Sequence, residues 1–121
     1  MSINKVLVVD DSKTELSNIQ TIISTTGCVV LIASNGKEAV AIARKEKPDI
    51  IFMDIIMPEM DGFEATRRLS NDANTRDIPI IFVSSKGQKA DLLWGQMQGA
   101  KGHVTKPYKP EQIIDQLKTF R

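Results

Sequence analysis

Two adjacent aspartates, Asp10 and Asp11, end the short apolar run Val6 to Val9, and a third, Asp54, interrupts the oily stretch "DIIFMDIIMP" from Asp49 to Pro58. A carboxylate set among Ile51, Phe52, Met53, Ile55, Ile56 and Met57 costs several kcal/mol unless its charge is compensated. Two further polar groups follow similar apolar runs: Ser84 in "IIFVSS" and Lys106 in "HVTKPY". Clustered carboxylates repel one another and demand a cation. A hard divalent ion such as Mg²⁺ binds through one or two carboxylates, keeps several waters and leaves room for phosphate oxygens. Lys106 offers a second answer as a compact point charge, and the Ser84 hydroxyl can donate to an anionic oxygen. An acidic cluster, a lysine and a hydroxyl at one place are the parts of phosphoryl transfer, which depends mainly on positioning and charge neutralisation.

Taken singly, the same residues read more plainly. Asp11 serves equally well as a cap for a following helix, Ser84 as a satisfied structural hydroxyl, and Lys106 as a solvated surface charge. Their common placement at the ends of successive apolar runs favours the chemical reading.

Those runs are Val6 to Val9, Val29 to Ala33, Ile50 to Met53, Ile80 to Val83 and a weaker one at His103 to Thr105. Continuous apolar runs of this length suit strands buried on both faces of a parallel sheet. Between them the period becomes helical: Leu16, Ile19 and Ile23; Ala39, Val40 and Ala43; Phe63, Thr66 and Leu69; Ala90, Leu93, Trp94 and Met97; Ile113, Ile114, Leu117 and Phe120. Asn35 with Gly36 opens the second helix, Gly27 and Gly99 follow helix ends, and Pro110 suits a first helical turn. Five strands alternating with five helices through short connections predict right-handed crossovers and a three-layer α/β domain. Ligands of such sheets sit beyond the carboxyl ends of the strands, where the strand order reverses.

Composition narrows the classes. The 121 residues, 41% hydrophobic and 26% charged, fit one globular domain over residues 1–121. Sixteen basic and 15 acidic residues, net +1, are spread along the chain, so no basic stripe predicts nucleic-acid binding. Cys28 is the single cysteine and reads as a small buried residue in a reducing compartment. The first apolar run ends in acids, unlike a secretory signal. No stretch approaches the roughly 20 apolar residues of a membrane span, and a cytoplasmic location is expected.

The pieces "VLVVDDS" at 6–12, "DIIFMDIIMPEMDG" at 49–62, "PIIFVSS" at 79–85 and "GAKGHVTKPY" at 99–108 resemble, in order and over the whole chain, the receiver domain of two-component response regulators, similar to the single-domain chemotaxis regulator. The resemblance implies a five-stranded parallel sheet in the order 2-1-3-4-5, flanked by five helices. It implies that Asp54 accepts a phosphoryl group from a sensor histidine kinase, that Asp10, Asp11, Asp54 and the Ile56 backbone carbonyl hold Mg²⁺, and that Ser84 and Lys106 grip the phosphoryl oxygens. The Lys106 to Pro107 bond resembles the family's cis peptide. A signalling protein, not an enzyme, is implied, with a downstream effector protein as second partner and a monomer or weak dimer as its state. With the last helix ending essentially at Arg121, output is expected through that partner. The implied contact surface is roughly Lys89 to Gln98, His103 to Thr105 and Pro110 to Phe120, with Ser84, His103 and Tyr108 as its switch and face residues. "RDIPIIFVSSKGQKADLLWGQMQGAKGHVTKPY" and "PEMDGFEATRRL" look most like stand-alone regulators of type IV pilus twitching motility.

Departures from the family pattern carry their own expectations. His103 stands where Tyr or Phe is usual; an exposed side chain is the simpler expectation, with an inward ring or sensitivity to pH near neutrality as alternatives. Ile56 and Lys86 occupy positions that tune attack of water on the acyl phosphate, and bulky Ile56 is expected to lengthen its lifetime. Trp94 is read as core or as part of the docking face. Three other functions share parts of the pattern: a phosphatase with an aspartate nucleophile, which needs Asp-X-Asp where "DDS" stands; a flavodoxin-like module, whose flavin phosphate Asp10 and Asp11 would repel; and, within the family, a phosphate sink with no effector, while a receiver excised from a larger regulator would share the whole pattern.

Overall fold

The computed structural model describes residues 2–120. Strands β1 (Lys5–Val9), β2 (Val29–Ala33), β3 (Ile50–Met53), β4 (Ile80–Ser84) and β5 (Gly102–Thr105) alternate with helices α1 (Lys13–Ser24), α2 (Gly36–Glu46), α3 (Gly62–Ser70), α4 (Lys89–Gln98) and α5 (Pro110–Phe120). All strand pairs are parallel and the order is β2-β1-β3-β4-β5, as the resemblance implies. The order reverses between β1 and β3, where Val9 pairs with Met53, so Asp10 and Asp54 leave adjacent strands side by side.

Alternation along the strands divides the core in two. Leu7, Val9, Ile51, Met53, Ile80 and Phe82 face α2, α3 and α4, while Val6, Val8, Ile50, Phe52, Ile81 and Val83 face α1 and α5. The central strands β1, β3 and β4 are therefore dry on both faces, each large side chain contributing about 1.5–3 kcal/mol. The margin differs from expectation. Val29 and Ile32 of β2 are exposed, because this edge strand lies where the flanking helices no longer cover the sheet.

The helix signals act as read at most ends. Asn35 caps α2, its side chain accepting the Glu38 N–H at 2.8 Å; Asp61, not read as a cap from the sequence, does the same for α3 through the Glu64 N–H at 2.9 Å. Gly99 ends α4 in the left-handed conformation, with φ 112°. Asp11 does not cap α1; Ser12 does, its Oγ accepting the Glu15 N–H at 3.3 Å.

Two further expectations are corrected. On α4, Leu93, Trp94 and Met97 are exposed, as is Ala90, and only Gly95 is buried. A Cβ on Gly95 would stand 2.8 Å from the Phe82 ring, so this helix packs through its small residue and turns its large ones outward. Cys28 is half-buried, its thiol donating to the Ile3 carbonyl and accepting from Thr26 Oγ1, both at 3.3 Å. Arg121 lies outside the described residues, and α5 is described to Phe120. No described helix is long and apolar enough to cross a membrane.

Candidate functional site

Ladder hydrogen bonds that run past the strand ends set the backbone of the site. The Asp10 N–H donates to the Ala33 carbonyl at 3.2 Å, the Asp54 N–H to Val9 at 2.9 Å, and the Lys106 N–H to Ser84 at 2.9 Å. Each residue is thus held in strand-like register while its side chain emerges beyond the sheet. Carboxylate oxygens of Asp10, Asp11 and Asp54 all lie within 4.8 Å of one another. Asp10 and Asp54 are buried, and Asp11 is exposed at the rim.

Lys106 enters this group from the loop after β5, next to a cis peptide with Pro107. Its Nζ donates to Asp10 Oδ2 at 2.8 Å and lies 3.8 Å from Asp54 Oδ2 and 3.7 Å from Glu15 Oε2. Asp10 Oδ1 accepts the Ser12 N–H, and Asp54 Oδ1 accepts the Ile55 N–H at 2.8 Å. Ser84, fully buried, ends β4 beside Asp54, its Oγ accepting the Lys86 N–H at 3.3 Å. The five side chains named from the sequence therefore meet at one sheet edge.

The charges are poised. Burial raises the Asp54 carboxyl above the ordinary aspartate value and the Asp10 charge adds to it; Lys106, the Ser84 hydroxyl and the Ile55 N–H oppose the rise. For Lys106 burial acts to lower the ammonium, but the Asp10 hydrogen bond with the Asp54, Asp10 and Glu15 charges prevails and the net shift is upward. One lysine among so many carboxylates leaves the group short of positive charge. The donor set is entirely hard oxygen, and an octahedral ion with bonds of about 2.1 Å bridges oxygens up to about 4.2 Å apart. The three aspartate oxygens, within 4.8 Å of one another, come near that spacing, and their chemistry fits Mg²⁺.

The loop after Asp54 is shaped around it. Gly62 donates its N–H to the Ile55 carbonyl at 2.8 Å, and a Cβ there would stand 2.3 Å from the Asp54 carbonyl oxygen. Glu59 takes φ 67° on the way. Ile56 is exposed on the same loop.

His103 differs from its expected surroundings, and Tyr108 has one cross-helix partner. His103 is not simply exposed: both ring nitrogens are buried without a hydrogen-bond partner, and the ring stands edge-on to Phe82 at 6.3 Å. It borders a cavity of about 160 Å³ with Leu92, Gly95, Gln96 and Ala100. Burial holds the imidazole below its ordinary pKa, against the upward pull of the Lys86 backbone and Asp91. Tyr108 turns toward α1, where its hydroxyl accepts from Asn18 Nδ2 at 3.0 Å.

Glu15 and Gly62 were not singled out from the sequence. An acid in the first turn of a helix is already explained by the helix dipole, so nothing local distinguished Glu15 as a neighbour of Lys106, 91 positions away in the chain.

Residues 6–118 match the family model described as "Response regulator receiver domain". Protein PilH of Pseudomonas aeruginosa is 46% identical over 110 residues, covering 91% of each chain. Among solved structures, Vibrio cholerae chemotaxis protein CheY4 superposes with a TM-score of 0.92 at 30% identity, covering 99% of this chain and 100% of that one. The receiver domain of a Pseudomonas aeruginosa sensor histidine kinase, with a magnesium ion coordinated in its active-site cleft, gives a TM-score of 0.90 at 26% identity, with 98% of each chain covered.

Proposed function

We propose a function from one premise: the chain belongs to the response regulator receiver domain family. In this reading Asp54 accepts a phosphoryl group from a phosphohistidine of a sensor kinase, and the phosphorylated form is read by a downstream protein. The observation that carries it is the buried Asp54 carboxylate, 3.8 Å from Lys106 and grouped with two further aspartates.

Asp54 Oδ2 attacks phosphorus as the P–N bond of the donor breaks; the bonding electron pair stays on the imidazole nitrogen, which takes up a proton. Bound Mg²⁺ supplies neutralisation of the phosphoryl and carboxylate charge. Asp10, Asp11, Asp54 and the Ile56 carbonyl would hold it. Lys106 passes from Asp10 to a phosphoryl oxygen, and the Ser84 hydroxyl donates to another. Ile56, two residues beyond Asp54 and exposed on the loop, hinders the in-line approach of water. Movement at Ser84 biases two pre-existing conformations, and each partner selects one.

The exposed Leu92, Leu93, Trp94 and Met97 on α4 suit the effector contact. The likeness to PilH supports a place in chemotaxis-like control of type IV pilus motility. The single unit over residues 2–120 and the near-even balance of 16 basic and 15 acidic residues suit that role, and a cytoplasmic location belongs to the same proposal.

The test is intact mass after incubation with acetyl phosphate, with and without Mg²⁺, on the native protein and on Asp54→Asn. A Mg²⁺-dependent gain of one phosphoryl group, absent from the variant, is the expected result. An unchanged mass of the native protein, or the same gain in Asp54→Asn, would overturn the assignment.

A further inference from the structure

Three carboxylates surround the Lys106 ammonium, and the phosphoryl chemistry accounts for two of them, Asp10 and Asp54. The third, Glu15, lies outside the group of oxygens that fits a metal ion. It is nevertheless built into the site. Asp10 Oδ1 accepts the Ser12 N–H, and Ser12 Oγ in turn accepts the Glu15 N–H, so one turn of chain fixes both acids relative to Lys106. Glu15 Oε2 is buried and has no hydrogen-bond partner; the ammonium 3.7 Å away is the positive charge facing it. An anionic oxygen in that position attracts the nearest cation strongly, because no donor of its own satisfies it.

We propose that Glu15 is a positioning residue that restrains phosphoryl capture by competing for Lys106; the inference rests on the phosphoacceptor reading of Asp54. In the unphosphorylated protein Lys106 is held between Asp10 and Glu15 at 2.8 and 3.7 Å. Gripping a phosphoryl oxygen requires it to leave both. A divalent ion held by the aspartates would offset the Asp10 charge, but Glu15, outside that group, would have no such replacement. Its carboxylate also repels the incoming phosphoryl charge directly. Both effects have the same sign: each favours the unphosphorylated state.

The experiment measures Mg²⁺-dependent binding of beryllofluoride, a phosphoryl analogue, to the native protein, Glu15→Gln and Glu15→Ala by fluorine NMR. The Glu15 side chain is about one third exposed, so the effect has the size of a partly solvated ion pair, roughly two- to fivefold. Both variants are expected to bind the analogue tighter by that factor, since both remove the charge and only one removes the side-chain bulk. A native-like Glu15→Gln beside an altered Glu15→Ala would assign Glu15 to packing and overturn the proposal. So would weaker or unchanged binding in both. If the native protein itself binds no analogue, the phosphoacceptor reading has failed and the role of Glu15 falls with it; a native protein that binds, with variants that do not differ, refutes Glu15 alone.

Discussion

Replacing Asp54 by Asn in the absence of divalent ions should make the protein more stable at neutral pH. At an effective dielectric of about 20, Lys106 at 3.8 Å attracts the Asp54 charge by about 4.4 kcal/mol, and Asp10, at no more than 4.8 Å, repels it by about 3.5. Exposed Asp11, screened by water, adds repulsion of about 0.9 kcal/mol. These terms nearly cancel, so the desolvation of a carboxylate on a side chain only 10% exposed decides the sign. Asn keeps the shape and can accept the Ile55 N–H as Oδ1 does now. The expected gain is about 1–2 kcal/mol, read by urea denaturation in EDTA. The pH dependence follows from the same raised pKa. The unfolded chain ionises first as pH rises, so the native protein holds its full contribution below the ordinary aspartate value and loses it as pH climbs through the raised one. Asp54→Asn lacks that decline. Mg²⁺ at ten times its Kd returns about 1.4 kcal/mol to the native protein, less to the variant, and narrows or inverts the gap. A variant less stable than the native protein in EDTA would refute the charge balance argued here.

Gly62→Ala should cost about 1–3 kcal/mol, because its Cβ would meet the backbone of Asp54 and Ile55 at 2.3 and 2.8 Å and neither can yield as a side chain would; native-like urea denaturation would contradict this. The lowered pKa of half-buried His103 means that the unfolded chain takes up its proton first, so stability falls as pH drops below the ordinary histidine value of about 6.5. His103→Phe should lack that part of the slope, and parallel stability curves between pH 7 and 5 would show that the ring is not sequestered. Trp94→Ala should cost less than about 1 kcal/mol, the residue being 47% exposed, whereas Phe82→Ala, fully buried beneath the same helix, should cost about 3–5 kcal/mol. Equal losses would return Trp94 to the core.

What the chain discloses in one dimension depends on whether the deciding interaction is local. Strands β1, β3 and β4 are buried on both faces, so their apolar runs are unbroken and their ends, with Asp10, Asp54 and Ser84, can be placed by inspection. Capping is equally local, and Asn35 with Gly36 announces α2. On α4 the same reasoning misled. Ala90, Leu93, Trp94 and Met97 have the spacing of a buried stripe, yet contact with the sheet is made by Gly95, whose lack of a side chain lets Phe82 approach. A glycine carries no hydrophobic signal, so periodicity assigned the core to the wrong side of the helix. That error bears on function, since the outward residues form the apolar surface suited to an effector.

The electrostatics of the site were legible in kind but not in number. Asp10, Asp11, Asp54 and Lys106 imply a charge imbalance once the strands are adjacent, and adjacency follows from strand order, which the resemblance implied and spacing alone did not. Glu15 could not be found that way. Its neighbour Lys106 approaches from the far end of the chain, through a loop anchored by the Lys106 N–H to the Ser84 carbonyl. His103 shows the same limit, because whether its ring points inward depends on the space left between Phe82 and α4. Gly95 draws α4 close to Phe82, and the partial burial that results lowers the pKa of the His103 imidazole. The packing of one glycine thus reaches the electrostatics of the face on which a partner would dock.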